Sequence, residues 1–125
     1  MKEIINTKNA PAAIGPYSQG ITVNNMTFYS GQIAIDPTVG KIVATNIEDQ
    51  TRQILKNISA LLAEGGYKVT DVVKTTVFIT NIADFGKVNA IYGEFFNTNP
   101  PARSCVEVSN LPAGALIEIE IIAAK

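Results

Sequence analysis

The chain has 125 residues, a single domain over 1–125 with no room for a second, and at this length folding removes roughly two-thirds of the unfolded surface from water. Hydrophobic residues make up 46% and charged residues 17%, against roughly 25% charged in ordinary soluble domains, so part of the surface is expected to lie against a partner, in the first place another copy of the chain. Ten basic against eleven acidic side chains leave a net charge of −1 and no footprint for nucleic acid; the lack of histidine excludes imidazole metal sites and His-based triads, and a single cysteine, Cys105, excludes an intrachain disulfide.

The start, Met1 to Asn6, returns to polar residues too soon for a signal peptide or membrane anchor, and no stretch reaches transmembrane length. The expected setting is the cytoplasm. Lys2 to Asn6 reads as a strand, followed by a Gly/Pro-punctuated loop from Asn9 to Gly20. Ile21 to Val23 and Met26 to Ser30 read as a hairpin around Asn24-Asn25, because Asn tolerates the positive φ of tight turns. Gly31 to Ile35 is expected to extend or restart the second arm. Asp36-Pro37-Thr38-Val39-Gly40 is a turn, and Lys41 to Val43 a short strand.

A helix begins at a capping box, either Thr45 with Glu48 or Asn46 with Asp49, and carries one apolar stripe: Ile47, Ile54, Leu55, Ile58, Leu61 and Leu62. Gly65-Gly66 ends it. Val72 to Thr80 is a β-rich strand. A second helix starts near Asn81 with the stripe Phe85, Val88, Tyr92, Phe95 and Phe96, and the Asn97 to Pro101 segment stops it. Strands at Arg103 to Val108 and Leu116 to Ala123 complete the chain. This order predicts an α+β fold, a two-layer mixed sheet with both helices on one face and the other face uncovered. On the last strand Ile117, Ile119 and Ile121 point one way, while Leu116, Glu118, Glu120 and Ile122 point the other.

Few residues can carry chemistry. Of the two arginines, Arg52 follows Glu48 by four residues and reads as half of an exposed helix ion pair. Arg103 opens a strand after two prolines, a stiff approach that suits bidentate capture of a carboxylate or phosphate; a salt bridge to Glu118 or Glu120 is the competing reading. Glu118 and Glu120 share a strand face and cannot flank a substrate as a facing pair. They read either as a solvated acidic face or, if another subunit covers it, as one water-orienting carboxylate. Cys105 follows Arg103 by two residues, and the nearby cation is expected to lower its thiol pKa; without a histidine base it reads first as a small buried side chain and only second as a nucleophile. Tyr17, in the Gly/Pro-rich loop, either caps a pocket or plugs the core. No nucleotide-binding glycine motif occurs.

The blocks Pro101-Ala102-Arg103-Ser104-Cys105-Val106-Glu107-Val108, Leu111-Pro112 and Ile117-Glu118-Ile119-Glu120 resemble the C-terminal signature of the RidA (YjgF) family of imine deaminases. Asn9 to Gly20, Ser30-Gly31-Gln32-Ile33, Val73 to Phe78 and Val88-Asn89 agree with it, so the resemblance spans essentially the whole chain. It implies a chorismate-mutase-like homotrimer with a barrel-like centre and clefts between subunits. It further implies hydrolysis of 2-enamino and 2-imino acids, such as 2-aminoacrylate and 2-iminobutanoate, to 2-oxo acids and ammonia, with no cofactor and no metal. Arg103 would hold the substrate carboxylate and Glu118 would orient water, with Tyr17, Ser30, Gly31, Asn89 and Cys105 completing the substrate site. A non-catalytic member that binds a small carboxylate for regulation is the alternative; an RNA-cleaving or translation-inhibiting reading, attached to some members, ranks last because the sequence shows no basic stripe or aromatic RNA platform, and neither nucleic acid nor a membrane is expected as a partner. Many members carry an aromatic residue just before the Pro-Ala-Arg block, where this chain has Pro100, which implies a different cleft rim.

Overall fold

The computed structural model describes residues 1–125. Strands β1 (Lys2–Ile5), β2 (Gly20–Val23) and β3 (Met26–Tyr29) form an antiparallel meander. The β2–β3 turn places Asn24 at φ 56°, the left-handed region that asparagine accepts. Asn25 then ties the turn to the far end of the chain: its Nδ2 donates to the Lys125 carbonyl at 2.5 Å and its own carbonyl accepts from Lys125 N at 3.0 Å.

The expected extension of β3 through Ile35 does not form. Gln32 alone pairs laterally, exchanging both backbone bonds with Ile119 at 2.8 and 3.0 Å. Beyond it the Ile35 N–H bonds back to the Ile33 carbonyl at 2.8 Å, a three-residue turn that bends the segment out of the sheet. The next residues, β4 (Ile35–Asp36), pair with β5 (Lys41–Ile42) across a turn that uses Gly40 at φ 85°.

Helix α1 (Ile47–Glu64) is capped by Asn46, whose Oδ1 accepts from Asp49 N at 2.8 Å; of the two capping patterns in the sequence, this is the one used. It ends at Gly65 and Gly66, the latter at φ 75°. Its apolar stripe is buried as the spacing predicts, and Gln50, Thr51 and Asn57 are buried with it. Each of the three is satisfied: Gln50 bridges the Ala44 carbonyl and Leu116 N, Thr51 donates to the Ile47 carbonyl, and Asn57 donates to the Ile35 carbonyl.

Strand β6 (Val72–Ile79) leads through a short 3-10 turn into α2 (Phe85–Phe95), which crosses over to β7 (Ala102–Glu107), parallel to β6. The last strand, β8 (Ile117–Ala124), lies antiparallel between β3 and β6, so the six-stranded sheet runs β1-β2-β3-β8-β6-β7. On α2, Val88, Ile91 and Tyr92 are buried with Phe96 just beyond, whereas Phe85 and Phe95 are half-buried.

Both helices cover one face of the sheet, against Ile117, Ile119 and Ile121, each at most 2% exposed. No element covers the other face. Register places Ile4, Ile21 and Phe28 side by side there, and continues through Ile122 to Glu118 beside Phe78 and Val106. Ile4 remains 65%, Phe28 46% and Val106 44% exposed, a contiguous apolar surface larger than scattered single side chains would make. No helix is long and apolar enough to cross a membrane.

Candidate functional site

Arg103 sits level with Thr75 of β6, and both side chains turn toward the helix layer. Its Nη1 donates to Asn89 Oδ1 at 2.8 Å. Its guanidinium carbon lies 4.7 Å from the centroid of the Tyr92 ring and 5.3 Å from that of Phe85. Phe85, Asn89 and Tyr92 are spaced i, i+4, i+7 on α2, so one helical stripe receives the guanidinium. The Tyr92 hydroxyl shares a 2.7 Å hydrogen bond with Thr75 Oγ1; burial pushes its pKa up, against the Thr75 bond and the Arg103 charge. Open recesses flank Arg103, one lined by Gly93, Phe96, Pro100 and Pro101, the other by Ile82 and Cys105.

No carboxylate pairs with this arginine. The single ion pair of the chain joins Arg52 to Asp49 at 3.3 Å, which corrects the expected Glu48 partner: Asp49 is already turned toward this side of the helix by its bonds to Asn46. The intrachain salt bridge from Arg103 to Glu118 or Glu120 is therefore not made. Cys105 also departs from expectation. Burial pushes its thiol pKa up, and the Arg103 charge offsets that only in part, so desolvation outweighs the cation.

Glu118 faces the opposite, uncovered side of the sheet. It packs flat against Gly31, where a built Cβ would come within 2.8 Å of the carboxyl carbon. The carboxylate, Gly31 and Tyr17 line a recess of about 140 Å³ together with Pro11, Gln32 and Pro112. Tyr17 is 53% exposed, so it walls this recess and does not plug the core. Ser30 lies beside it, its Oγ donating to the Ser18 carbonyl at 2.5 Å. Burial and, after it, the neighbouring Glu120 charge raise the Glu118 pKa above the usual carboxylate value, because both disfavour the ionised form.

The loop that carries Tyr17 is held by a residue the sequence reading passed over. Gln19 is 2% exposed; its Oε1 accepts from Thr7 N at 2.7 Å, and its Nε2 donates to the carbonyls of Thr7 at 3.0 Å and Pro11 at 2.8 Å. Phe85 and Tyr92 were visible only as an apolar stripe, and Pro112 only as part of a loop. The i, i+4, i+7 spacing around Asn89 was the signal that could have found the arginine's surroundings.

The structure thus gathers the candidate residues into two groups. Arg103, Asn89 and Cys105 lie on the helix side near the β7 edge; Tyr17, Ser30, Gly31 and Glu118 lie on the open face. Arg103 and Glu118 are two strands and three residues apart, about 14 Å by strand spacing and rise, on opposite sides of the sheet. No small substrate touches both within one chain. No group of three or more acidic or cysteine side chains is gathered as a metal site.

Fold and site together define a two-layer α+β chain with a guanidinium, paired by no carboxylate of the chain, on one side of the sheet and a half-buried carboxylate on the other. Residues 7–125 match the family described as Endoribonuclease L-PSP, and the chain belongs to this family, the RidA (YjgF) family of its sequence blocks. The 2-iminobutanoate/2-iminopropanoate deaminase of Salmonella typhimurium is 51% identical over 128 residues, spanning 100% of this chain and 99% of that protein. Among solved structures, the conserved Rid family protein YyfA from Yersinia pestis superposes with a TM-score of 0.97 at 55% identity over the full length of both chains. Escherichia coli TdcF with bound serine superposes with a TM-score of 0.94 at 44% identity over 98% of each.

Proposed function

We propose that the chain hydrolyses short 2-imino and 2-enamino acids to 2-oxo acids and ammonia, at a site completed by a second copy in a homotrimer. The observation that carries this reading is the separation of Arg103 and Glu118 on opposite faces of a sheet whose outer face is apolar and open. When the open face of one copy meets the β7 edge of the next, a carboxylate-binding arginine comes to face a water-orienting glutamate. The deaminase named among the relatives supports the reaction class.

Arg103 binds the substrate carboxylate with the N–H groups that Asn89 leaves free. Glu118 accepts a proton from water as the water oxygen bonds to C2, and the C=N electron pair moves onto nitrogen. The proton returns from Glu118 to that nitrogen to give the neutral carbinolamine; its hydroxyl proton then passes by way of Glu118 to the same nitrogen as the O–H pair closes C2=O and the C2–N bond breaks, so that ammonia leaves a 2-oxo acid. A glutamate with a raised pKa suits both halves of this transfer. Tyr17, Ser30 and Gly31 shape the water side of the cleft, and Cys105 is a wall beside Arg103. Positioning and preorganised hydrogen bonds supply the acceleration, and no cofactor enters the steps.

The test is a coupled assay in which a pyridoxal-phosphate dehydratase generates the imine and 2-oxo acid appearance is followed with and without the purified protein. Acceleration that disappears in Arg103→Ala and Glu118→Gln, both still folded, supports the reading. No acceleration by a folded wild-type protein would overturn it in favour of a second reading, carboxylate binding without turnover, which the serine bound to TdcF favours. Light scattering is expected to give three times the 13.4 kDa chain mass.

A further inference from the structure

The guanidinium of Arg103 is held more elaborately than an ion-pairing arginine on a strand needs. Its one hydrogen bond from Nη1 goes to a neutral amide, Asn89 Oδ1, and no carboxylate of its own chain pairs with it. Its carbon lies within cation–π range of two rings, 4.7 Å from Tyr92 and 5.3 Å from Phe85. The Tyr92 ring is 5% exposed and cannot swing away, because its hydroxyl is fixed to Thr75 Oγ1 at 2.7 Å, and Thr75 is the residue in register with Arg103 on the adjoining strand. The ring beneath the guanidinium is therefore referenced to the strand from which the arginine grows.

We propose that Phe85 and Tyr92 are positioning residues that clamp the Arg103 guanidinium, so that the N–H groups Asn89 leaves free present a fixed fork to the substrate carboxylate. A free arginine side chain spreads over many rotamers, and each bond it makes to a ligand first costs that freedom. Two rings and one amide oxygen fix the side chain before the ligand arrives, so the ligand does not have to order it. Lysine does not replace arginine here: an ammonium can sit over one ring but offers no planar fork of two parallel donors for the rings to hold. The inference rests on the proposed carboxylate role of Arg103.

The experiment measures KM and kcat in the coupled assay, and the affinity of 2-oxobutanoate by calorimetry, for the full-length protein and its variants. Arg103→Ala comes first: unchanged 2-oxobutanoate affinity there would refute the carboxylate role itself. With that role standing, Phe85→Leu is expected to raise KM and the 2-oxobutanoate Kd by roughly 3- to 30-fold, the span of a cation–π contact, with kcat changed far less. Phe85→Trp, which restores a ring, is expected to recover most of the loss. Tyr92→Phe keeps its ring and loses only the Thr75 anchor, so roughly a 2- to 5-fold rise is expected, on the scale of one net hydrogen bond.

A double-mutant cycle separates positioning from general packing. In the Arg103→Lys background Phe85→Leu is expected to cost clearly less than in the wild type, because there is no planar fork left for the ring to hold. Additive losses in that cycle, or wild-type KM and Kd in a folded Phe85→Leu, would overturn the clamp while leaving the carboxylate role intact.

Discussion

Replacing Gly31 with alanine tests how closely Glu118, the carboxylate proposed to orient water, is held. The position is not in the left-handed region, so the backbone accepts alanine; the obstacle is Glu118. A Cβ at residue 31 would lie 2.8 Å from the Glu118 carboxyl carbon and closer still to one of its oxygens. Ordinary contact begins at 3.4 Å, so the carboxyl carbon must recede by at least 0.6 Å, the difference between those two distances, and the nearer oxygen by more. A misplacement of about 1 Å in a reacting group costs on the order of 100-fold in rate. Gly31→Ala is therefore expected to lower kcat by roughly 10- to 100-fold in the dehydratase-coupled assay, with KM little changed because Arg103 is untouched. Stability should hardly move, since Glu118 can turn outward from a half-exposed position. Wild-type kcat in a folded Gly31→Ala would refute the placement of Glu118 at the reacting centre.

Four further outcomes are expected. Because burial and Glu120 raise the Glu118 pKa, the folded chain binds that proton more tightly than the unfolded chain; this stabilising contribution is full below the unfolded value and lost as pH rises through the folded one. Above that window Glu118→Gln is expected to be the more stable protein, by less than about 1 kcal/mol at a half-buried carboxylate, and melting curves taken below the ordinary carboxylate range and well above it should show the gain only at the higher pH. The acid limb of wild-type kcat/KM should lie above the usual glutamate value for the same reason. Gln19→Leu strands the Thr7 N–H and the Thr7 and Pro11 carbonyls, so a loss of roughly 2–3 kcal/mol in urea unfolding is expected, with faster proteolysis in the Asn9–Ser18 loop. Asn46→Ala removes the α1 cap and is expected to cost about 1 kcal/mol in the same measurement.

Periodicity carried most of the architecture. The α1 stripe and its glycine stop, the Asn24 turn, and the alternation along β8 each follow from local rules, and each stands where those rules place it. What was not legible depends on contacts distant in sequence. The segment after Ser30 keeps β-forming residues, yet a local bond at Ile33–Ile35 competes with lateral pairing and bends it away. Gln50, Thr51 and Asn57 interrupt an apolar pattern and are nonetheless buried, because backbone groups 4 to 66 residues away satisfy them. At the site, the sequence brought forward the charged residues and passed over those that hold them. Arg103 stood out as a rare arginine behind two prolines, but nothing local placed Phe85 and Tyr92 beside it or said that Glu118 faces the other way. The Cys105 thiol was misjudged for the same reason: proximity to a cation is visible in sequence, whereas desolvation requires the fold.

The division of one site between two copies is tested most directly by mixing two inactive variants. Arg103→Ala and Glu118→Gln, unfolded together at equal concentration and refolded, form random trimers. A site that draws its arginine and its glutamate from different copies is intact in about one case in four, so roughly a quarter of wild-type deaminase activity should return, while each variant refolded alone stays inactive. A mixture as inactive as its components, with trimers formed, would contradict the shared site and place both residues' work within a single chain.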